Sequence, residues 1–149
     1  MEVPNINISP KVPSVPRLED KTKIDLRYMV LEPYVSIHIH YDFNSGELVY
    51  EVEEPLLSEE DRKNLETIEK AMREIVNITM IGGSGESKID YVWKTAQLVI
   101  SELGLSVEQS SIEKIFYYLY RNFIGMNEIE AMMRDYFIED VECNGFGEP

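Results

Sequence analysis

Apolar and polar residues alternate most cleanly over PYVSIHIHY, residues 33–41. Val35, Ile37, Ile39 and Tyr41 fall on one side, and Ser36, His38 and His40 on the other. That period of two is the signature of a half-buried strand. DFNSGE follows, with Asn44-Ser45-Gly46 as turn chemistry. LVYEVEE then resumes the alternation, Leu48, Tyr50 and Val52 opposing Val49, Glu51 and Glu53. The two runs predict a β-hairpin. Ahead of them IDLRYMVL, residues 24–31, alternates more loosely.

The period changes after Pro55. Ser58 with Asp61 three residues on reads as a capping signature. Leu65, Ile68, Met72 and Ile75 follow at helical spacing, which predicts a helix over 58–77. A second helix, 86–103, aligns Ile89, Val92, Trp93, Ala96, Ile100 and Leu103, and Gly104 supplies its exit. Ser106 with Gln109 reads as another capping box. It opens a third helix carrying Ile112, Ile115, Phe116, Leu119 and Phe123, closed by Gly125. Asn127 is expected to cap a short helix through Arg134 with Ile129, Met132 and Met133 inward, before a strand-like FIEDVECNG.

These elements predict an α+β fold: an antiparallel hairpin or small sheet, a three-helix cluster, and a final helix–strand unit left incomplete. An unpaired terminal strand is a liability, so the chain is expected to be a piece of a longer protein. The organisation expected is an extended Pro-rich arm over 1–23, a hairpin-plus-helical domain over 24–125, and the beginning of a second domain over 126–149. The arm holds Pro4, Pro10, Pro13 and Pro16, four of the seven prolines.

Between the first two helices lies GGSGESK, residues 82–88. A phosphate-binding loop requires G-x-x-x-x-G-K-[ST]. Here Lys88 follows Ser87 rather than glycine, and Ile89 stands where the hydroxyl for Mg²⁺ belongs. The composition fits a flexible joint.

Composition narrows the partners. The formal charge is −14 over 149 residues, which disfavours nucleic acid, whose binding needs clustered Lys and Arg. The acid is uneven: residues 47–78 carry ten Asp/Glu against four Lys/Arg, and residues 126–149 carry seven against one. This is either a solvated surface or a docking surface for a basic partner. Cys143 is the single cysteine, so no internal disulfide exists. No run of ~20 apolar residues is present, so direct membrane insertion is not expected.

Candidate chemistry is thin. His38 and His40 share a strand face and could begin a metal site completed by Asp or Glu, or could simply be polar strand surface. Glu139, Asp140 and Glu142 surround Cys143 and oppose a thiolate. The helix FYYLYRNF, residues 116–123, is aromatic nearly all round and must pack on more than one side. Arg121 and Arg134, few cations in an acidic region, are candidates to reach a neighbouring subunit or a nucleotide phosphate. The alternative is a local surface ion pair.

Two stretches carry a family resemblance. RDYFIEDVECNG, with Asp135, Ile138, Glu139, Asp140 and Val141, resembles the segment that opens the conserved amino-terminal domain of type II/IV secretion ATPases. There a "(D/N)P-x-(I/V)-E-(D/E)-(I/V)" turn leads into a PAS-like sheet; Tyr136 stands where the family commonly has proline. VLEPYVSIHI and YEVEEPLLSEEDRKNLETI resemble the leader region of the archaeal branch, which drives archaella, type IV pili and related secretion. The resemblance covers roughly residues 24–149. It implies a homo-hexameric motor whose Walker A loop, catalytic glutamate, ATP and Mg²⁺ lie in a later domain. The present chain would be a non-catalytic docking and assembly region, cytoplasmic and peripheral to the membrane through a platform protein. Glu59, Glu60, Glu66, Glu69 and Glu74 are the candidate docking residues for that protein's basic loops. The alternative is an unrelated acidic α+β adaptor domain that binds a basic protein.

Overall fold

The computed structural model describes residues 2–9, 11, 14, 17, 19–76 and 87–142. Its strands form one antiparallel sheet in the order β1-β2-β3-β4: β1 is Asn7–Ile8, β2 Asp25–Glu32, β3 Val35–Asp42 and β4 Glu47–Glu53. The helices follow: α1 Glu59–Ile75, α2 Lys88–Glu102, α3 Gln109–Phe123, then a 3-10 turn Asn127–Ile129 and α4 Glu130–Met133. A run of strands followed by a run of helices gives an α+β fold.

Register explains which strand face is wet. Ile37 pairs with Tyr28 and Val52, and Ile39 with Leu26 and Tyr50. Ile37 and Val35 are fully buried in this inner face. On the other face His38 lies between Arg27 and Glu51, and His40 between Asp25 and Val49. The register between β2 and β3 shifts between Met29 and Leu31. At this irregularity consecutive Val30 and Leu31 are both buried, which is why residues 24–31 alternate only loosely.

The Pro-rich beginning does more than lie extended. Asn7 and Ile8 pair with Glu32 and Leu31, and Val3 and Ile6 pack against the core. Without a period to betray it, a two-residue strand is invisible in the sequence.

The predicted cap of α1 is present in full. The Ser58 hydroxyl accepts from the Asp61 amide at 3.1 Å, while the Asp61 carboxylate accepts from the Ser58 amide at 3.3 Å. Leu65, Ile68 and Met72 are buried, whereas Ile75 is 54% exposed at the helix end. Ser87 caps α2 through the Asp90 amide at 3.0 Å, and Lys88 is the first helical residue. The last two residues of GGSGESK therefore start a helix; residues 82–86 lie outside the described residues. Gly104 exits α2 at φ +60°.

The expected Ser106–Gln109 box does not form. Glu108 is the N-cap of α3 and makes no side-chain cap bond, and the Ser106 carbonyl accepts from Asn64 instead. α3 is the central element. Its Phe116 meets Trp93 edge-on at 4.9 Å in the core shared by the three helices. Its next residue, Tyr117, stacks on Tyr34 at 5.7 Å in the core shared with the sheet.

The last expectations need correction. Asn127 has φ 54° and opens a 3-10 turn rather than capping a helix. Ile129 and Met133 are 40% and 47% exposed, while Glu130 and Ala131 are buried. Residues 138–142 form no strand. Residues 143–149, with Cys143, lie outside the described residues. No helix among the described residues is long and apolar enough to cross a membrane.

Candidate functional site

α1 turns its apolar stripe inward and so must turn Glu59, Glu60, Glu66 and Glu74 outward; all four are exposed. Glu59 pairs with Lys63 at 3.4 Å. Glu69 differs: its side chain is only 18% exposed, it accepts from the Asn122 side-chain Nδ2, and it lies 4.0 Å from Arg73. Its carboxylate is thus engaged within the chain. The outer half of α1 also bears Arg62, Lys63, Lys70 and Arg73, which dilute its charge beyond the first turn. The stretch from Glu47 to Asp61 has seven acidic residues and no Lys or Arg, and within it Glu53 and Glu54 are paired with Arg27 and Arg121 from elsewhere in the chain. This acid runs along β4 and into the first turn of α1.

Arg121 and Arg134 are held inside the chain. Arg121 Nη1 reaches both Glu54 oxygens at 2.9 and 3.0 Å, and its guanidinium lies 4.9 Å from the Tyr118 ring centre. Arg134 Nε donates at 2.8 Å to Glu130, a fully buried carboxylate that also accepts from Tyr120 and from the Met126 amide. That hydrogen bond holds the Arg134 guanidinium above its usual range. Both guanidiniums thus have carboxylate partners within the chain.

Two clusters escaped sequence reading, and a third was read only as its histidine pair. Asp135 is buried and accepts from the hydroxyls of Tyr28 and Tyr50 at 2.7 and 2.6 Å, and from the Phe137 amide at 2.9 Å. Burial, reinforced by that carboxylate, raises both phenols. The buried Glu130 is the second. Its only sequence trace is the Glu130–Arg134 spacing of four. The third is the wet face of the sheet. His38 and His40 stack with ring centres 4.4 Å apart. His38 Nε2 lies 2.8 Å from Asp25 Oδ1, and His40 Nε2 lies 3.5 Å from Glu51 Oε2. Arg27 binds both oxygens of Glu53 at 2.8 Å. These bonds, with one from Ser36, hold the Glu53 carboxyl below its ordinary range.

The sequence matches no family model. It is similar to an uncharacterized protein of Methanocaldococcus jannaschii, 28% identical over 113 residues, which is 76% of this chain and 45% of that protein. The chain thus spans less than half the length of the relative it matches.

Proposed function

We propose that this chain is a non-catalytic docking region of a larger secretion-type motor ATPase of the archaeal branch, gripping the basic cytosolic loops of a membrane platform protein. The observation that carries the docking role is the exposure of the acidic side chains that begin α1, on a helix whose apolar face is already spent on the core. Cytosolic loops of polytopic proteins are rich in Lys and Arg, and opposite charge speeds and orients such an encounter. The order of the segments quoted for the resemblance supports the assignment to such a motor. ATP, Mg²⁺ and the hexamer belong in this reading to the rest of that motor.

The lack of any matching family model favours a second reading, an acidic adaptor that binds a basic protein outside such a machine. The experiment is charge reversal. Glu59, Glu60 and Glu66 changed together to Lys should slow association with purified platform loops several-fold and flatten its salt dependence, with the circular dichroism unchanged. Unaltered association would leave α1 as a solvated surface and overturn the docking role. Binding to unrelated basic proteins with equal rate would favour the adaptor.

A further inference from the structure

We infer that the wet face of the sheet is a binding site for a divalent first-row metal ion of the zinc type, held by His38, His40 and Glu51. One ligand atom from each of these residues lies within 4.8 Å of the other two. The three come from neighbouring positions on two paired strands. His38 and His40 are two apart on β3, and Glu51 is the cross-strand partner of His38 on β4. The backbone ladder, rather than a loop, therefore fixes their spacing.

The distances suit a small ion. Ligands at ~2.0–2.1 Å around a tetrahedral zinc stand about 3.3 Å apart. Glu51 Oε2 lies 3.5 Å from His40 Nε2 and 3.9 Å from His38 Nδ1. Rotations of exposed side chains close that gap, because the Glu51 side chain is 55% exposed. Two imidazoles and one carboxylate form a donor set for zinc, and three protein ligands leave a position for water or a donor from another molecule.

The surroundings select the nitrogen. Asp25 Oδ1 is 2.8 Å from His38 Nε2, so the proton sits on Nε2 and the lone pair of Nδ1 faces Glu51. A carboxylate behind a ligating imidazole is the usual support for a metal-bound histidine. Asp25, Glu51 and Glu53 outnumber Arg27 on this face, a balance that favours a cation. Arg27 is the competitor: its Nη2 lies 3.2 Å from His38 Nδ1 and must turn away when the ion arrives. It keeps Glu53 as its partner when it does.

Titration calorimetry of the whole chain with Zn²⁺, and the visible absorption of Co²⁺ in its place, test this. One ion per chain should bind with micromolar or tighter affinity, and the Co²⁺ spectrum should be that of four-coordinate N/O ligation. His40→Gln and Glu51→Gln should each weaken binding about 10-fold or more, and Asp25→Ala by about 10- to 100-fold. Arg27→Met should tighten it. Circular dichroism and melting without metal should be unchanged in all four, since each lies on the outer face. No saturable binding in the micromolar range, or binding indifferent to His40→Gln and Glu51→Gln, overturns the site. Weaker binding in Arg27→Met overturns the assignment of Nδ1.

Discussion

Arg121 and Glu54 lock the helices to the sheet: one guanidinium nitrogen of α3 lies 2.9 and 3.0 Å from the two carboxylate oxygens just beyond β4. Tyr117 donates to the same carboxylate at 2.6 Å. The pair is 12% and 24% exposed, between a surface bridge and a buried one. Arg121→Ala strands a half-buried carboxylate and should cost about 2 kcal/mol, below the ~3–5 of a fully buried pair. Arg121→Ala with Glu54→Gln should cost less than the sum of the two single changes. Urea unfolding of the four-member cycle measures this, and simple additivity would mean that the contact contributes nothing.

Asp135 fastens the segment after α4 to the inner sheet through Tyr28 and Tyr50. Asp135→Ala leaves two part-buried phenols without their acceptor. It should destabilise by about 2 kcal/mol and speed amide exchange at Phe137, whose amide it also holds.

Alkaline pH tests the same phenols. Their folded pKa values are raised, first by burial and then by the Asp135 carboxylate, and burial with Glu54 does the same to Tyr117. A raised pKa contributes stability in full below the unfolded value of ~10. That contribution is lost as pH rises from there toward the folded values. The melting temperature should therefore fall above about pH 10. Phenolate absorbance of these three tyrosines should appear only as the fold melts. Their early ionisation in the folded state would contradict the hydrogen bonds.

The acid side is tested at Asp61. Its hydrogen bond from Ser58 holds the carboxyl below the ordinary range. A lowered pKa contributes stability above the unfolded value of ~3.9, lost as pH falls through the folded one. Ser58→Ala should cost about 1 kcal/mol near neutral pH. The gap from the unaltered chain should narrow on acidification, as thermal melts across that range will show.

Two glycines should respond differently. A Cβ on Gly104 meets nothing within 4 Å, so Gly104→Ala suffers only the strain of φ +60°, about 1 kcal/mol. A Cβ on Gly125 falls 2.9 Å from the Arg121 carbonyl and from the Glu130 carboxylate. Gly125→Ala should be the more damaging in denaturant melts, because it pushes on a fully buried charge.

The hairpin and all three long helices are legible because each has a full period to read. Tyr50 and Val52, or Leu65, Ile68 and Met72, announce their faces by spacing alone. What escaped has no period. Asn7–Ile8 is too short, and Val30–Leu31 breaks alternation at a bulge. Glu130 is acidic yet buried, while Met133, expected inward, is 47% exposed, the reverse of what hydropathy alone suggests. The candidate sites divide likewise. Solvent exposure of Glu59 and Glu60 follows from helical spacing, whereas the engagement of Glu69 and Arg121 depends on partners 53 and 67 residues away. His38 and His40 were visible as a pair. Glu51 joins them only through strand register.

Among the described residues β4 has a strand partner on one side only, β3. Its other rim offers unpaired backbone to any passing strand, the arrangement from which runaway stacking of chains begins. Glu47, Glu51 and Glu53 sit along that rim, so a second copy would bring like charges together. The acid proposed to draw a basic partner would then also keep the chain from sticking to itself.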